Sequence, residues 1–222
     1  MMQFVQYYQK NILFFIFFVL FSLLQGCFST ATYTTATPIG KGNYELAIIP
    51  TVAYPGVKGF DFVPTTDLIP FVGFSGRYGL LDSLDLGFRF SGTGFFSFDS
   101  KFNLLNNSSL AISILPSLGT SLNVNIKNQG LFLLYTLPLL LDIKFGKYNI
   151  LTLSGYFGGL LGLSKQMTHD FLWGAEVSFE FKIMSNIFLQ PYFSIEFPHT
   201  VKALNIQHEV YNFGIAVKYR IF

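Results

Sequence analysis

Charge and cysteine are what this chain has least of. Of 222 residues, one is a cysteine, Cys27, and only 12% are charged. A lone cysteine excludes an intrachain disulfide and any metal centre built on clustered cysteines. The charged share is about half that of an ordinary water-soluble globular chain, too little to wet a normal surface. A net charge of +2, with its cations scattered, leaves no electrostatic footprint for a nucleic-acid partner. The apolar run near the amino terminus, Ile12 to Leu24, is thirteen residues long. That falls short of the about 20 residues that a membrane-crossing helix needs. In their place the chain has aromatics, at 18% of the residues, with 28 phenylalanines and 12 tyrosines.

The short apolar run reads as the core of a cleaved secretory signal over residues 1–26, with Lys10 and the amino terminus supplying positive charge. It ends in Leu24-Gln25-Gly26-Cys27, which resembles the lipobox of bacterial lipoproteins. The resemblance implies that Cys27 is lipidated and begins the mature chain, and more than one acyl chain makes such an anchor stable. Phe28 follows where an Asp would favour inner-membrane retention, so the resemblance points to the outer membrane. Residues 27–42, closing on Gly40-Lys41-Gly42, read as a lipidated flexible tether, and residues 43–222 as one folded domain.

From Asn43 onward the sequence alternates with period two, the mark of strands with two unlike faces. Ten such segments are expected: 43–54, 69–79, 84–93, 95–104, 109–118, 131–143, 148–161, 170–181, 187–197 and 209–221. Connections near Leu81, Asn106, Gly146 and Met184 are short, whereas those at 55–68, 119–130, 162–169 and 198–208 are longer. This is the pattern of an all-β, antiparallel, up-and-down transmembrane barrel of about ten strands, with eight or twelve also compatible. An even count puts both chain ends on the periplasmic side.

Bulky apolar residues fill one phase and small or polar residues the other. A barrel of ~8 strands has only enough interior for its own side chains and ten add little, so the bulky phase belongs outside. The polar phase carries Glu45, Arg77, Asp85, Arg89, Asp99, Lys101, Asp142, Glu176, Glu180, Lys182, Glu196, Lys218 and Arg220, expected as a charge network in the lumen. Glu209 alone breaks the phase, at a strand's outer end. Tyr44, Tyr54, Tyr78, Trp173, Tyr211 and Tyr219 fall near strand ends on the apolar phase and are expected in aromatic girdles. The last strand closes on Phe222, which resembles the assembly signal of outer-membrane barrels but sits one residue out of phase. Pro50, Pro138 and Pro191 fit least well, because a closed barrel has no free edge for a missing donor.

At "TATPIGKGNYELAIIPTVAY" and "GRYGLLDSLDLGFRF" the chain resembles an uncharacterised family of small bacterial lipoproteins predicted to be outer-membrane barrels. The resemblance implies fold and location and carries over no functional residue. Its implied partners are outer-membrane lipid and the barrel-assembly and lipoprotein-sorting machinery.

Chemistry is sparse. His169, His199 and His208 fall in the expected outer loops, and His169-Asp170, with Asp61 and Asp67, faintly resembles the site of an omptin protease. Ser164 and His199-Thr200 offer the parts of a hydrolase without a spacing that would set their geometry. No metal set and no phosphate-cradling loop emerge, and no cofactor is expected. The reading is a non-catalytic structural or surface-interaction barrel, with a narrow channel and a rim enzyme as the alternatives.

Overall fold

The computed structural model describes residues 32–55, 68–91, 95–121, 131–163, 168–199 and 209–222. The signal segment, Cys27, Asp61, Asp67, Ser164, Thr200 and His208 lie outside them. The strands are β1 (Tyr44–Pro55), β2 (Ile69–Leu81), β3 (Leu84–Ser91), β4 (Phe95–Asn106), β5 (Leu110–Ile114) and β6 (Ser117–Ser121). They continue with β7 (Leu131–Phe145), β8 (Asn149–Leu163), β9 (Thr168–Lys182), β10 (Ile187–His199) and β11 (Val210–Ile221).

Every pairing is antiparallel, and β1 pairs with both β2 and β11, so the sheet closes on itself. Both β5 and β6 lie between β4 and β7. They are two halves of one crossing, interrupted at Leu115-Pro116, and the result is a closed antiparallel barrel of ten crossings.

The period-two pattern fixes which way each side chain points. In β9, Phe171, Trp173, Val177 and Phe179 are exposed, while Leu172, Glu176, Ser178 and Glu180 are buried. Leu46, Ile48, Phe98, Leu137, Leu139, Phe157 and Phe213 are likewise more than half exposed. Water-soluble monomers do not present a contiguous apolar belt on this scale.

The prolines are accommodated by gaps in the ladders. Pro50 stays opposite Val72 of β2, and the β1–β11 ladder skips Ile49 and Pro50. Pro191 stays opposite Ile215, and the β9–β10 ladder skips Gln190 and Pro191. Pro138 faces Tyr156 of β8 on one side and the break between β5 and β6 on the other. There the Leu115 N–H donates to the Pro138 carbonyl at 2.9 Å, and the Ser100 N–H to the Pro116 carbonyl at 3.1 Å. Missing donors thus fall where no partner strand needs them.

Two expectations are corrected. β8 and β9 run further than the alternation indicated, which shortens their connection and places His169 in β9 rather than in a loop. His199 is the last residue of β10. The larger correction concerns the tether: Thr32 to Ala36 and Ile39 are buried inside the barrel. Thr32, Thr34, Thr35 and Ala36 are small enough for the lumen, Tyr33 packs against Tyr192, and main-chain polar groups of the segment find partners on the wall.

Candidate functional site

The lumen is lined by charge at the end carrying the short turns. Inward-facing Glu45 and Lys218 come from paired strands, and Glu180 reaches the same group from β9. Lys218 Nζ lies 2.8 Å from Glu180 Oε2 and 3.7 Å from Glu45 Oε1. Arg220 spans the same two acids, with Nε 2.6 Å from Glu45 and Nη2 2.7 Å from Glu180. Its guanidinium also sits 4.3 Å from the Phe188 ring centroid. Lys182, half-buried at this mouth, places Nζ 4.2 Å from the ring centroid of Tyr148.

A second group gathers on β2, β3 and β4. Arg77 Nη2 lies 2.6 Å from Asp99 Oδ1, Arg89 Nε 3.3 Å from Asp99 Oδ2, and Lys101 Nζ 2.8 Å from Asp85. Gly87 makes room for it, since a Cβ there would fall 2.7 Å from both Arg77 Nη2 and Asp99 Oδ1. The side chains of Lys101, Lys218, Asp85, Asp99 and Glu180 are fully buried. Charges this deep persist because each is paired and hydrogen bonded.

Three further acids are met by neutral donors. Asp142 accepts from the Ala36 N–H at 2.9 Å, the Thr37 N–H and hydroxyl at 2.7 Å, and the Thr152 hydroxyl at 2.7 Å. Glu176 accepts from the Thr32 N–H at 2.6 Å and the Thr32 hydroxyl at 3.2 Å. Glu196 accepts from Asn212 Nδ2 at 3.1 Å.

Two of these acids therefore hold the chain's own amino-terminal segment. It descends from Thr32 beside Glu176, past Tyr33 packed edge-on against Tyr192 at 4.7 Å, to Ala36 among Ala111, Leu115 and Leu140. The Ile39 N–H then donates to Asp85 at 3.3 Å. Lys101 Nζ donates to the carbonyls of Thr35 at 3.1 Å and Thr37 at 2.8 Å, and Ser113 to that of Ala36 at 2.6 Å. Gly40 and Gly42, both with positive φ, reverse the chain at the mouth and feed it into β1. Gly79 permits that turn, because a Cβ there would lie 1.9 Å from the Gly40 carbonyl oxygen. The cavity left beside Tyr33 and Arg89 measures about 20 Å³, room for roughly one water.

On the outer surface, Tyr44 packs against Tyr78 with ring centroids 4.7 Å apart, and Tyr219 is exposed at the same end. Tyr54 and Tyr211 meet at 6.4 Å toward the other end, where Trp173 stacks on Phe197 at 4.1 Å. His169 joins this second set. Its Nε2 is 2.7 Å from the Tyr135 hydroxyl, and its ring sits edge-on to Phe171 at 4.4 Å. The histidine singled out for hydrolysis is thus exposed among girdle aromatics and bonded to a phenol. Among the described residues, no group of three His, Cys, Asp or Glu is placed to hold a metal.

Sequence reasoning missed the segment that Asp142 and Glu176 hold. The available signal was the run Thr32, Thr34, Thr35, Ala36 and Thr37, whose small side chains suit a crowded interior as well as they suit a linker.

No protein-family model matches the chain, and no curated protein matches it by sequence. Among solved structures it is similar to the N-terminal β-barrel domain of Pseudomonas aeruginosa OprF, at 10% identity and a TM-score of 0.36, over 82% of this chain and 99% of that one. It is similar to Ail, the attachment invasion locus protein of Yersinia pestis, at 9% identity and a TM-score of 0.35, over 82% and 99%. A bacterial polysaccharide outer membrane secretin aligns at 8% identity and a TM-score of 0.45, over 81% and 98%. Likenesses this distant assign no role.

Proposed function

We propose that this chain is a bacterial outer-membrane barrel, lipid-anchored through Cys27, that serves as a structural or surface-interaction element without catalysis. The observation that carries this reading is the occupied lumen: among the described residues, 32–36 and 39 are buried within it and bonded to its ion-paired wall at the charged end. The exposed apolar belt between aromatic sets supports a membrane setting, since that is how side chains divide in a lipid-facing barrel. Outer-membrane lipid, the assembly machinery and the lipoprotein-sorting machinery are its proposed partners. With the lumen filled, interaction falls to the outer connections.

Thr32 lies five residues from Cys27, and five extended residues cover ~17 Å. A lipid on Cys27 would therefore lie within that distance of the threaded segment.

Three measurements test the reading. Purified protein in planar bilayers is expected to give no sustained current steps, while unboiled samples migrate faster than boiled ones on SDS gels. Stable steps from the intact chain would favour the narrow-channel alternative, and identical migration would remove the closed barrel. In cells fed a tagged fatty acid, Cys27→Ala is expected to abolish labelling; a labelled variant would remove the anchor.

A further inference from the structure

The wall of the lumen holds residues 32–39 mainly by their peptide groups. Among the described residues, main-chain N–H groups of Thr32, Ala36, Thr37 and Ile39 donate to Glu176, Asp142 and Asp85. Main-chain carbonyls of Thr35, Ala36 and Thr37 accept from Lys101, Asn103 and Ser113. Side chains of the segment add the hydroxyls of Thr32 and Thr37, on the same two carboxylates, and the Tyr33 ring packed against Tyr192.

The arrangement has a consequence for recognition. Peptide groups are common to every residue except for the N–H that proline lacks, so a site built on them selects conformation and bulk more than side-chain identity. Bulk is limited by Ala111, Leu115 and Leu140, which surround Ala36 with no exposed surface left. The acids and the amine doing the reading are themselves buried, and ionised acceptors and donors make the stronger hydrogen bonds.

We infer that the charged end of the lumen is a peptide-binding site whose ligand class is a single peptide strand held mainly through its main chain, with a residue no bulkier than alanine between Ala111, Leu115 and Leu140, and with residues 32–39 as its resident occupant. The site rests on the closed-lumen reading above and adds a specificity to it. An unthreaded barrel would therefore accept such a peptide in trans.

The test compares two full-length variants in planar bilayers. Ala36→Pro with Thr37→Pro deletes both N–H groups that Asp142 accepts, while Thr32→Ala with Thr37→Ala deletes both hydroxyl contacts to the carboxylates and leaves every N–H. The proline pair is expected to show current steps at least tenfold more frequent than wild type, and the alanine pair to stay silent. A synthetic peptide of residues 32–42, added on the short-turn side, is expected to suppress the proline-pair currents, and so is the same peptide with Thr32 and Thr37 changed to Ala. Heat-modifiability establishes that each variant forms a barrel. Should the proline pair fail to close, Asp142→Asn, nearly isosteric but with one acceptor replaced by a donor, is expected to show the same openings at lower frequency. Equal opening in the alanine pair, a silent proline pair and silent Asp142→Asn, or currents indifferent to peptide would each overturn the inference. Currents in the wild type would instead overturn the closed-lumen reading.

Discussion

Lys218→Met lowers the stability of the barrel by about 3–5 kcal/mol, the usual result of removing one member of a buried ion-paired group. Lys218 is buried against Glu180 and Glu45, and among the described residues Arg220 is then the one cation within 4 Å of both acids. Methionine keeps most of the stem's volume, so the loss reports charge and not a cavity. Restoring the balance with Glu180→Gln in the same chain recovers part of it, because the second substitution removes the acid that the first left short of a partner. Urea-induced unfolding into and out of lipid vesicles measures both, and a loss under about 1 kcal/mol for the single change would mean that water reaches this group.

Leu137→Arg costs about 2–4 kcal/mol in the same assay, the depth-dependent penalty for a cation facing lipid at mid-barrel. Leu137 lies near the middle of β7, pairs with Phe157 and is 54% exposed. Leu137→Phe, apolar and outward, is expected to change stability by less than about 0.5 kcal/mol, the usual range for a surface position. If the arginine were equally harmless, the belt would face water, and the lipid-facing assignment of the whole apolar phase would fall with it. Both predictions bear on the same division of faces, one from the inside and one from the outside.

That division is what the sequence by itself determined. In a strand, adjacent side chains point to opposite faces, so the bulky phase in "FLWGAEVSFEF" had to separate Phe171, Trp173 and Val177 from Glu176 and Glu180. The structure keeps them apart in that way. Period two is local information, written within each segment, and it carried the strand positions and the closed barrel. Its resolution is poorest at strand ends, where alternation fades, so it leaves His169 in a loop although the residue is paired in β9. The interruption at Leu115-Pro116 also needed the partner strands, because a proline breaks a ladder only on the side where its N–H would have pointed.

What fills the lumen was decided by the tertiary structure alone. The carboxylate contacts that hold Thr32, Ala36 and Thr37 join residues more than 100 positions apart. They are made chiefly by peptide groups, which every residue offers and no sequence pattern marks. A run of threonines and alanines before a Gly-Lys-Gly turn has the composition of a linker. Only the closed barrel, by setting Asp142, Glu176, Asp85 and Lys101 around one narrow space, gives those peptide groups somewhere to bind.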